Sequence, residues 1–212
     1  MIDLYTWTTP NGRKLSILLE ELGIPYEAHA IDLSSGDQKS PAFRAVSPKG
    51  QIPVARDRET GQVVAESGAI MLWLAESAGR FMGAPEDRYE VIEWLMWQMS
   101  TQGPTLGRIH QFAHYGRRIG DVAEAQARAQ GAAAYATLED RLQGRDFVAG
   151  AGRGTYTIAD MAIWPWVSRF EWHEIDLNAY PAVRDWYLRL AGRPAVERGY
   201  HVPRFVNEVP RP

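Results

Sequence analysis

The sequence has 212 residues, a formal net charge of −3 at pH 7 and a pI near 6.0, with 45% hydrophobic and 23% charged residues. These values are typical of a soluble globular protein, and the acidic balance argues against a nucleic-acid partner, which normally requires a basic face. The absence of cysteine excludes a disulfide scaffold, a cysteine-ligated metal and a cysteine nucleophile from this sequence. The first residues lack the basic and apolar pattern of a leader, and no apolar run approaches the roughly 20 residues that span a bilayer. We therefore expect a cytoplasmic protein with no membrane partner.

Strand and helix signals alternate at the start of the chain. A short apolar run, Ile2 to Trp7, predicts a strand, and helical periodicity follows from Gly12 to Leu22. Residues Tyr26 to Asp32 alternate in polarity as a half-buried strand does. A polar segment then carries one short helix near Pro41 to Ala45.

A hairpin and a third helix complete this half of the sequence. The segments "VARDR" and "QVVA" flank the turn residues "ETG" and predict two paired strands. A helix is predicted from Ser67 to Ser77. The order of elements is therefore β-α-β, a loop, and then β-β-α.

The composition changes at residues 79–88, "GRFMGAPEDR", where glycine and proline cluster. Only helical patterns follow, at residues 86–114, 122–142, 158–172 and 182–191, with a short one after Pro194. The layout predicts an α/β plus all-α protein. We assign residues 1–78 to the α/β domain, 79–88 to a linker and 89–212 to an all-helical domain.

The loop between the first strand and the first helix contains polar residues but no strong base. In one interpretation Thr9 caps the helix and Pro10 occupies its first turn, where a missing N–H costs nothing. In the other, the Thr9 hydroxyl, the Asn11 amide and the helix N-terminus donate hydrogen bonds to an anion such as a thiolate. None of these groups can itself act as a nucleophile.

The segment "ESGAI" leads from the hairpin into the third helix. Ser67 could simply cap this helix by accepting a bond from a backbone N–H. Alternatively, the helix N-terminus binds a ligand carboxylate while Glu66 holds a ligand ammonium group. An acidic residue beside an anion site suits the head group of an amino acid.

Three further motifs have structural explanations. A bond preceding proline is cis in only about 5–6% of cases, so Pro53 is predicted to follow a trans bond from the residues alone. Thr157 and Asp160 are spaced as in a capping box. His110 and His114 lie four residues apart on a predicted helix, where they could share a metal, face solvent or line a pocket.

In this order, these motifs resemble the glutathione transferase family. The resemblance is carried by "SPKGQIPV", "ESGAI", the linker and "YTIADMAIWPWV", and it spans roughly residues 1–200. Within the family, "IDLYTWTTPNGRK", "IDLSSGDQKSPAF" and "WLMWQMSTQGPTLG" are most similar to the bacterial nu class. The resemblance implies an N-terminal thioredoxin-like domain, a C-terminal helical bundle, a homodimer, and glutathione as co-substrate without a metal.

The resemblance also implies where glutathione binds. It makes a cis bond before Pro53 the expectation, with the backbone of Ile52 pairing with the cysteinyl part of glutathione. Glu66 and Ser67 match the positions that hold the γ-glutamyl head group. Gln38 matches a glutamine that contacts glutathione.

Two basic residues are further candidates for glutathione binding. Lys49 could reach the glycyl carboxylate. The nu class has an arginine, contributed by the neighbouring subunit, near position 126. Here that position is Gln126, and Arg128 two residues later is the candidate replacement.

The resemblance assigns catalysis to Thr9 and Asn11, which match the nu-class pair. Other classes place a tyrosine, serine or cysteine near this loop, whereas Tyr5 here lies within the predicted strand. The reactive sulfur must then belong to glutathione, whose thiolate Thr9 and Asn11 stabilise. A thiol pKa is lowered by nearby hydrogen bonds and positive potential.

The function implied is that of a glutathione-dependent disulfide-bond oxidoreductase acting on a small disulfide. Two alternatives stay open. One is conventional glutathione conjugation or peroxide reduction, and the other is a non-catalytic module that binds glutathione or a protein partner.

Overall fold

The computed structural model describes all 212 residues. They form two compact units. The N-terminal unit consists of residues Met1–Arg80 and Gly192–Val209, and the helical unit consists of Phe81–Ala191 and Pro210–Pro212. None of the helices combines the length and the apolar character needed to cross a membrane.

The N-terminal unit contains a four-stranded mixed sheet with the order β2-β1-β3-β4. Its strands are β1 (Ile2–Thr6), β2 (Tyr26–Ala30), β3 (Val54–Asp57) and β4 (Val63–Ala65). Strand β1 pairs in parallel with β2 and antiparallel with β3, and β3 and β4 form the predicted hairpin. With the helices of this unit, α1 (Pro10–Leu22), α2 (Pro41–Val46) and α3 (Ser67–Ala78), the sheet makes the predicted thioredoxin-like β-α-β/β-β-α arrangement.

The helical unit confirms the predicted all-α half. Its helices are α4 (Arg88–Trp97), α5 (Gly103–Ile109), α6 (Asp121–Leu142), α7 (Ile158–Val167) and α8 (Pro181–Ala191). Two π-helical segments, Gln98–Gln102 and His110–His114, make the chain helical from residue 88 to residue 114. The helix expected at 158–172 ends at Val167 instead, and a 3-10 turn covers Phe170–His173.

A buried capping box begins α7, as the sequence predicted. The Asp160 carboxylate accepts hydrogen bonds from the backbone N–H of Thr157 at 3.0 Å and of Val148 at 3.0 Å, and from the Trp186 indole at 2.9 Å. Burial raises the pKa of Asp160 to about 6 despite these donors. Thr157 and Asp160 are therefore structural residues of the helical unit.

The last helix, α9 (Pro194–Tyr200), belongs to the N-terminal unit, whereas the sequence placed it in the helical domain. It packs closely on α1. The Ser16 Oγ donates to the Gly199 carbonyl at 2.6 Å, and a Cβ on Gly199 would lie 2.6 Å from the Ile17 backbone. This close approach of α9 to α1, possible only with glycine at 199, assigns residues 192–209 to the N-terminal unit.

Candidate functional site

The loop between β1 and α1 is fixed by a cap and a glycine. Thr9 is the N-cap of α1, and its Oγ accepts a hydrogen bond from the Gly12 backbone at 3.1 Å. A Cβ at Gly12 would lie 2.2 Å from the Trp7 carbonyl oxygen, so glycine is required for this packing. A hydroxyl can accept and donate at once. The predicted cap is therefore compatible with a Thr9 hydroxyl that donates to an anion.

A cavity of about 540 Å³ lies in the N-terminal unit. Seven of the nine site residues predicted from the sequence line it, which brings segments far apart in the chain to one place. The lining residues are Asn11, Leu33, Gln38, Ser47, Pro48, Lys49, Gly50, Gln51, Ile52, Pro53, Ala65, Glu66 and Ser67.

The Ile52–Pro53 bond is cis, as the family resemblance implied, so the trans expectation from the residues alone was wrong. Ile52 packs against a small apolar cluster that contains Ile31, Phe43 and Val54. This packing anchors the segment before β3 along one wall of the cavity.

The start of α3 differs from a simple capped helix. The helix begins at Ser67, and its N-cap is Glu66, which makes no side-chain cap bond. The interpretation of Ser67 as an N-cap is therefore wrong. Glu66 has φ 71°, in the left-handed region that non-glycine residues rarely adopt. Its exposed carboxylate lies 3.2 Å from the Nζ of Lys49, which is also exposed.

A buried lysine stands behind Ser67, and the sequence interpretation missed it. Lys14 on α1 is 1% exposed, and its Nζ donates to the Ser67 Oγ at 3.3 Å. Burial lowers the pKa of Lys14 well below its ordinary value. The spacing held a signal, because Lys14 lies four residues before Leu18 on the apolar face of α1. The arrangement adds a donor and potential positive charge next to the N-terminus of α3.

Gln38 offers an acceptor without a partner. It lies in the 3-10 turn Asp37–Lys39, and its Oε1 is buried and makes no hydrogen bond within the chain. Buried polar atoms are normally paired, so this unpaired oxygen is an exception in the wall of the cavity.

The two remaining predicted residues do not line the cavity. Thr9 lies two positions before Asn11, which does. Arg128 lies in the helical unit, where its Nε and Nη2 donate to the two carboxylate oxygens of Glu174 at 2.5 and 3.3 Å. Its guanidinium carbon is also 4.7 Å from the ring centroid of Phe112.

Tyr5 lies within β1, as expected, and not on the loop. Its ring stacks on His29 of β2, with centroids 4.7 Å apart. This contact fixes the Tyr5 ring against its neighbouring strand.

His110 belongs to a buried polar network and does not face solvent, so the solvent-facing interpretation is wrong for this residue. Its Nε2 lies 2.9 Å from the Nε2 of His173, whose Nδ1 lies 2.9 Å from the Tyr135 hydroxyl. Burial lowers the pKa of His110 to about 3 and also lowers that of His173. His114 instead stacks on Trp172, with centroids 3.4 Å apart. The His110–His173 contact joins residues far apart in sequence, and no local pattern signals it.

The comparisons with known proteins agree with this geometry. The model of the glutathione S-transferase N-terminal domain matches residues 8–77, and that of the C-terminal domain matches residues 120–189. The chain therefore belongs to the glutathione S-transferase family. It is 38% identical over 201 residues to the disulfide-bond oxidoreductase YfcG of Escherichia coli (strain K12), covering 92% of both chains. It is 35% identical to the disulfide-bond oxidoreductase YghU of the same organism, covering 100% of this chain and 76% of YghU.

Solved structures of similar fold contain glutathione. A glutathione transferase from Pseudomonas putida, with one glutathione disulfide bound per subunit, is 34% identical, with a TM-score of 0.88 over 95% of this chain and 91% of that one. A family member from Pseudomonas fluorescens pf-5, with two glutathiones bound, is 37% identical, with a TM-score of 0.86 over 95% of this chain and 93% of that one.

Proposed function

We propose that this protein is a glutathione-dependent disulfide-bond oxidoreductase in which bound glutathione supplies the attacking sulfur. The observation that carries the proposal is the cavity of the N-terminal unit, where five separate segments bring together seven of the nine predicted site residues. The relatives YfcG and YghU are named disulfide-bond oxidoreductases, and similar solved structures hold glutathione or its disulfide.

The γ-glutamyl head group binds at the start of α3. Its carboxylate accepts from the Ser67 hydroxyl and from the helix N-terminus, whose free N–H groups and dipole favour an anion. The Lys14 Nζ donates to the Ser67 Oγ at 3.3 Å, which leaves the Ser67 hydroxyl proton for the carboxylate. The head-group ammonium is held by the exposed Glu66 carboxylate, and Gln38 lines the same cavity.

The rest of the tripeptide lies along the other walls of the cavity. The backbone of Ile52, before Pro53, pairs with the cysteinyl part. Lys49 binds the glycyl carboxylate after its ion pair with Glu66 breaks. Breaking this pair costs little, because an exposed ion pair contributes less than about 1 kcal/mol. The ammonium and the glycyl carboxylate of glutathione thereby each meet a side chain of opposite charge.

Thr9 and Asn11 stabilise the glutathione thiolate. Thr9 keeps its hydroxyl proton for donation while its oxygen accepts from Gly12 at 3.1 Å. Asn11 lines the cavity one residue into α1, where the helix dipole also favours negative charge. Preorganised donors of this kind lower a thiol pKa and raise the thiolate fraction at neutral pH.

The reaction balances with two glutathione molecules. The bound thiolate attacks one sulfur of a small disulfide, the S–S bond breaks, and the departing thiolate takes up a proton. A second glutathione thiolate then attacks the glutathione sulfur of the mixed disulfide, which releases glutathione disulfide and the second substrate thiol. Because this chain has no cysteine, each sulfur that reacts belongs to a small molecule.

The assembly and location form a second part of the proposal. We expect a homodimer, since α4 exposes 78% of Tyr89 and 44% of Met96, both large apolar side chains. Arg128 would then contact glutathione bound to the neighbouring subunit. A cytoplasmic location suits an enzyme that consumes reduced glutathione. Light scattering that shows only the 23.8 kDa species at micromolar concentration would exclude the dimer.

Turnover assays separate this function from its alternatives. We expect glutathione-dependent reduction of bis(hydroxyethyl) disulfide to proceed with a much higher kcat/KM than conjugation of chlorodinitrobenzene or reduction of a peroxide. The opposite order would favour a conventional transferase or peroxidase. Glutathione binding without turnover of any of these substrates would indicate a non-catalytic module.

A further inference from the structure

The C-terminal part of the chain runs antiparallel to α1, toward the loop that precedes this helix. At the far end of α1, Arg193 Nε donates to Glu21 Oε1 at 2.6 Å. Five residues later, on α9, Arg198 Nε donates to Glu20 Oε2 at 2.7 Å. Arg193 and Arg198 therefore contact the C-terminal end of α1.

The path continues to the N-terminal end of α1. Arg13, 1% exposed, donates from Nε to the Tyr200 carbonyl at 3.0 Å, and its guanidinium carbon lies 3.5 Å from the Tyr200 ring centroid. Four residues later, the guanidinium carbon of Arg204 lies 4.3 Å from the ring centroid of Trp7. Trp7 is two residues before Thr9, so the tail arrives at the loop that carries the proposed thiolate donors.

Residues 201–209, here termed the tail, are held in place by their own contacts. The Asn207 amide donates to the hydroxyl of the buried Tyr200 at 3.1 Å. The rings of His201 and Phe205 pack with centroids 4.8 Å apart. These contacts bracket Arg204 and fix its backbone position.

Arg204 is exposed, stacks on Trp7 and forms no ion pair. Trp7 is two residues before Thr9, and Asn11 of the same segment lines the cavity. The contact with Trp7 therefore places the guanidinium beside the β1–α1 loop. Its charge also contributes, after the hydrogen bonds from Ser34, to the lowered pKa of Asp32.

We propose that Arg204 is a specificity-determining residue that binds a carboxylate of the disulfide substrate, so that the enzyme prefers anionic disulfides. The guanidinium carbon of Arg204 lies over the Trp7 ring and the side chain forms no ion pair, so its N–H groups can bind a carboxylate in the bidentate geometry that arginine favours. The cation–π contact restricts the side chain before substrate arrives, which reduces the entropy that binding costs. This inference rests on the proposed disulfide reduction and names its substrate class.

The test compares three disulfides at saturating glutathione: dithiodipropionate, which is anionic, bis(hydroxyethyl) disulfide, which is neutral, and cystamine, which is cationic. The wild-type protein should have its highest kcat/KM with dithiodipropionate. Arg204→Ala should lower the ratio of kcat/KM for dithiodipropionate to that for the neutral disulfide about tenfold, the low end for a lost hydrogen bond to a charged group. Arg204→Glu should shift the preference further, toward cystamine. Arg56→Ala, at an exposed arginine of β3, is the control for net charge and should leave the ratio unchanged.

The outcomes separate this inference from the proposed function. If the wild-type protein reduces the disulfides but Arg204→Ala leaves the ratio unchanged, or lowers kcat/KM equally for all three, the role of Arg204 is refuted while disulfide reduction stands. If the wild-type protein reduces none of the three disulfides, the proposed function and this inference both fail.

Discussion

Replacing Ser67 by alanine is expected to weaken glutathione binding strongly while the protein still folds. Ser67 is the first residue of α3 and is 6% exposed, and its hydroxyl lies at the cavity within 3.3 Å of the Lys14 Nζ. The substitution removes the proposed donor to the γ-glutamyl carboxylate and an acceptor for a buried lysine. The two losses have separate readouts.

The affinity loss follows from the charge of the ligand group. A hydrogen bond to a charged partner contributes about 1.5–3 kcal/mol, which corresponds to a roughly ten- to hundredfold higher Kd for glutathione. The loss of the Lys14 contact should cost about 1 kcal/mol of unfolding free energy, a fall of about 2–4 °C in Tm for a chain of this size. Because Glu66 and not Ser67 is the N-cap of α3, no capping bond is lost in addition.

Calorimetric titration with glutathione measures the first loss, and thermal unfolding without ligand measures the second. Ser77→Ala, at an exposed position near the end of α3, is the matched control and should change neither quantity. If Ser67→Ala lowers Tm but leaves Kd within twofold of the wild-type value, Ser67 serves only Lys14, and the proposed head-group site is wrong.

Three further predictions concern the other site residues and the pH dependence. In steady-state assays Thr9→Ala should lower kcat for disulfide reduction about tenfold, less than at oxyanion sites because sulfur accepts weaker hydrogen bonds, and Thr9→Ser should retain most of the activity. The loss of kcat in the double variant with Asn11→Ala should be smaller than the product of the two single losses, because both residues act on one sulfur. Arg128→Ala should raise the KM for glutathione in the dimer, whereas Glu174→Gln should leave this KM unchanged. If the two variants lower Tm equally and neither changes the KM, Arg128 is only a structural partner of Glu174. The pKa of His110 is lowered from 6.5 to about 3 in the folded state, so the unfolded state binds this proton first as the pH falls. The unfolding free energy should therefore decrease below pH 6.5, by about 1.4 kcal/mol per pH unit for this histidine. Denaturant titrations across that range measure the slope, which His110→Gln should reduce by about one proton; an unchanged slope would contradict the assignment.

The sequence predicted the elements of the N-terminal unit because their signals are local. The strand and helix periods, the residues "TTPNG" at the start of α1 and the hairpin turn each occupy a few adjacent residues. The cis bond before Pro53 was different, since the residues alone favoured trans and only the family resemblance implied cis. Motif combinations thus supplied what single-residue preferences could not.

The features that the sequence did not reveal depend on contacts between distant residues. The sequence analysis assigned no role to Lys14, although its position four residues before Leu18 places it on the buried face of α1. The docking of α9 on α1 depends on Gly199 meeting Ile17, a contact that no local pattern encodes. The strained backbone of Glu66 likewise became visible only in the structure, and it displaced Ser67 from the capping position.

The central claim is that the protein stabilises the thiolate of bound glutathione. The most direct measurement is a pH titration of that thiolate by its ultraviolet absorbance, with wild-type protein in excess of glutathione and with Thr9→Ala as the comparison. The account predicts a bound-thiol pKa clearly below the value of about 8.5 that is typical of a free cysteine thiol, and a shift back toward that value when Thr9 is replaced. A bound thiol that titrates like free glutathione in the wild-type protein would contradict the claim.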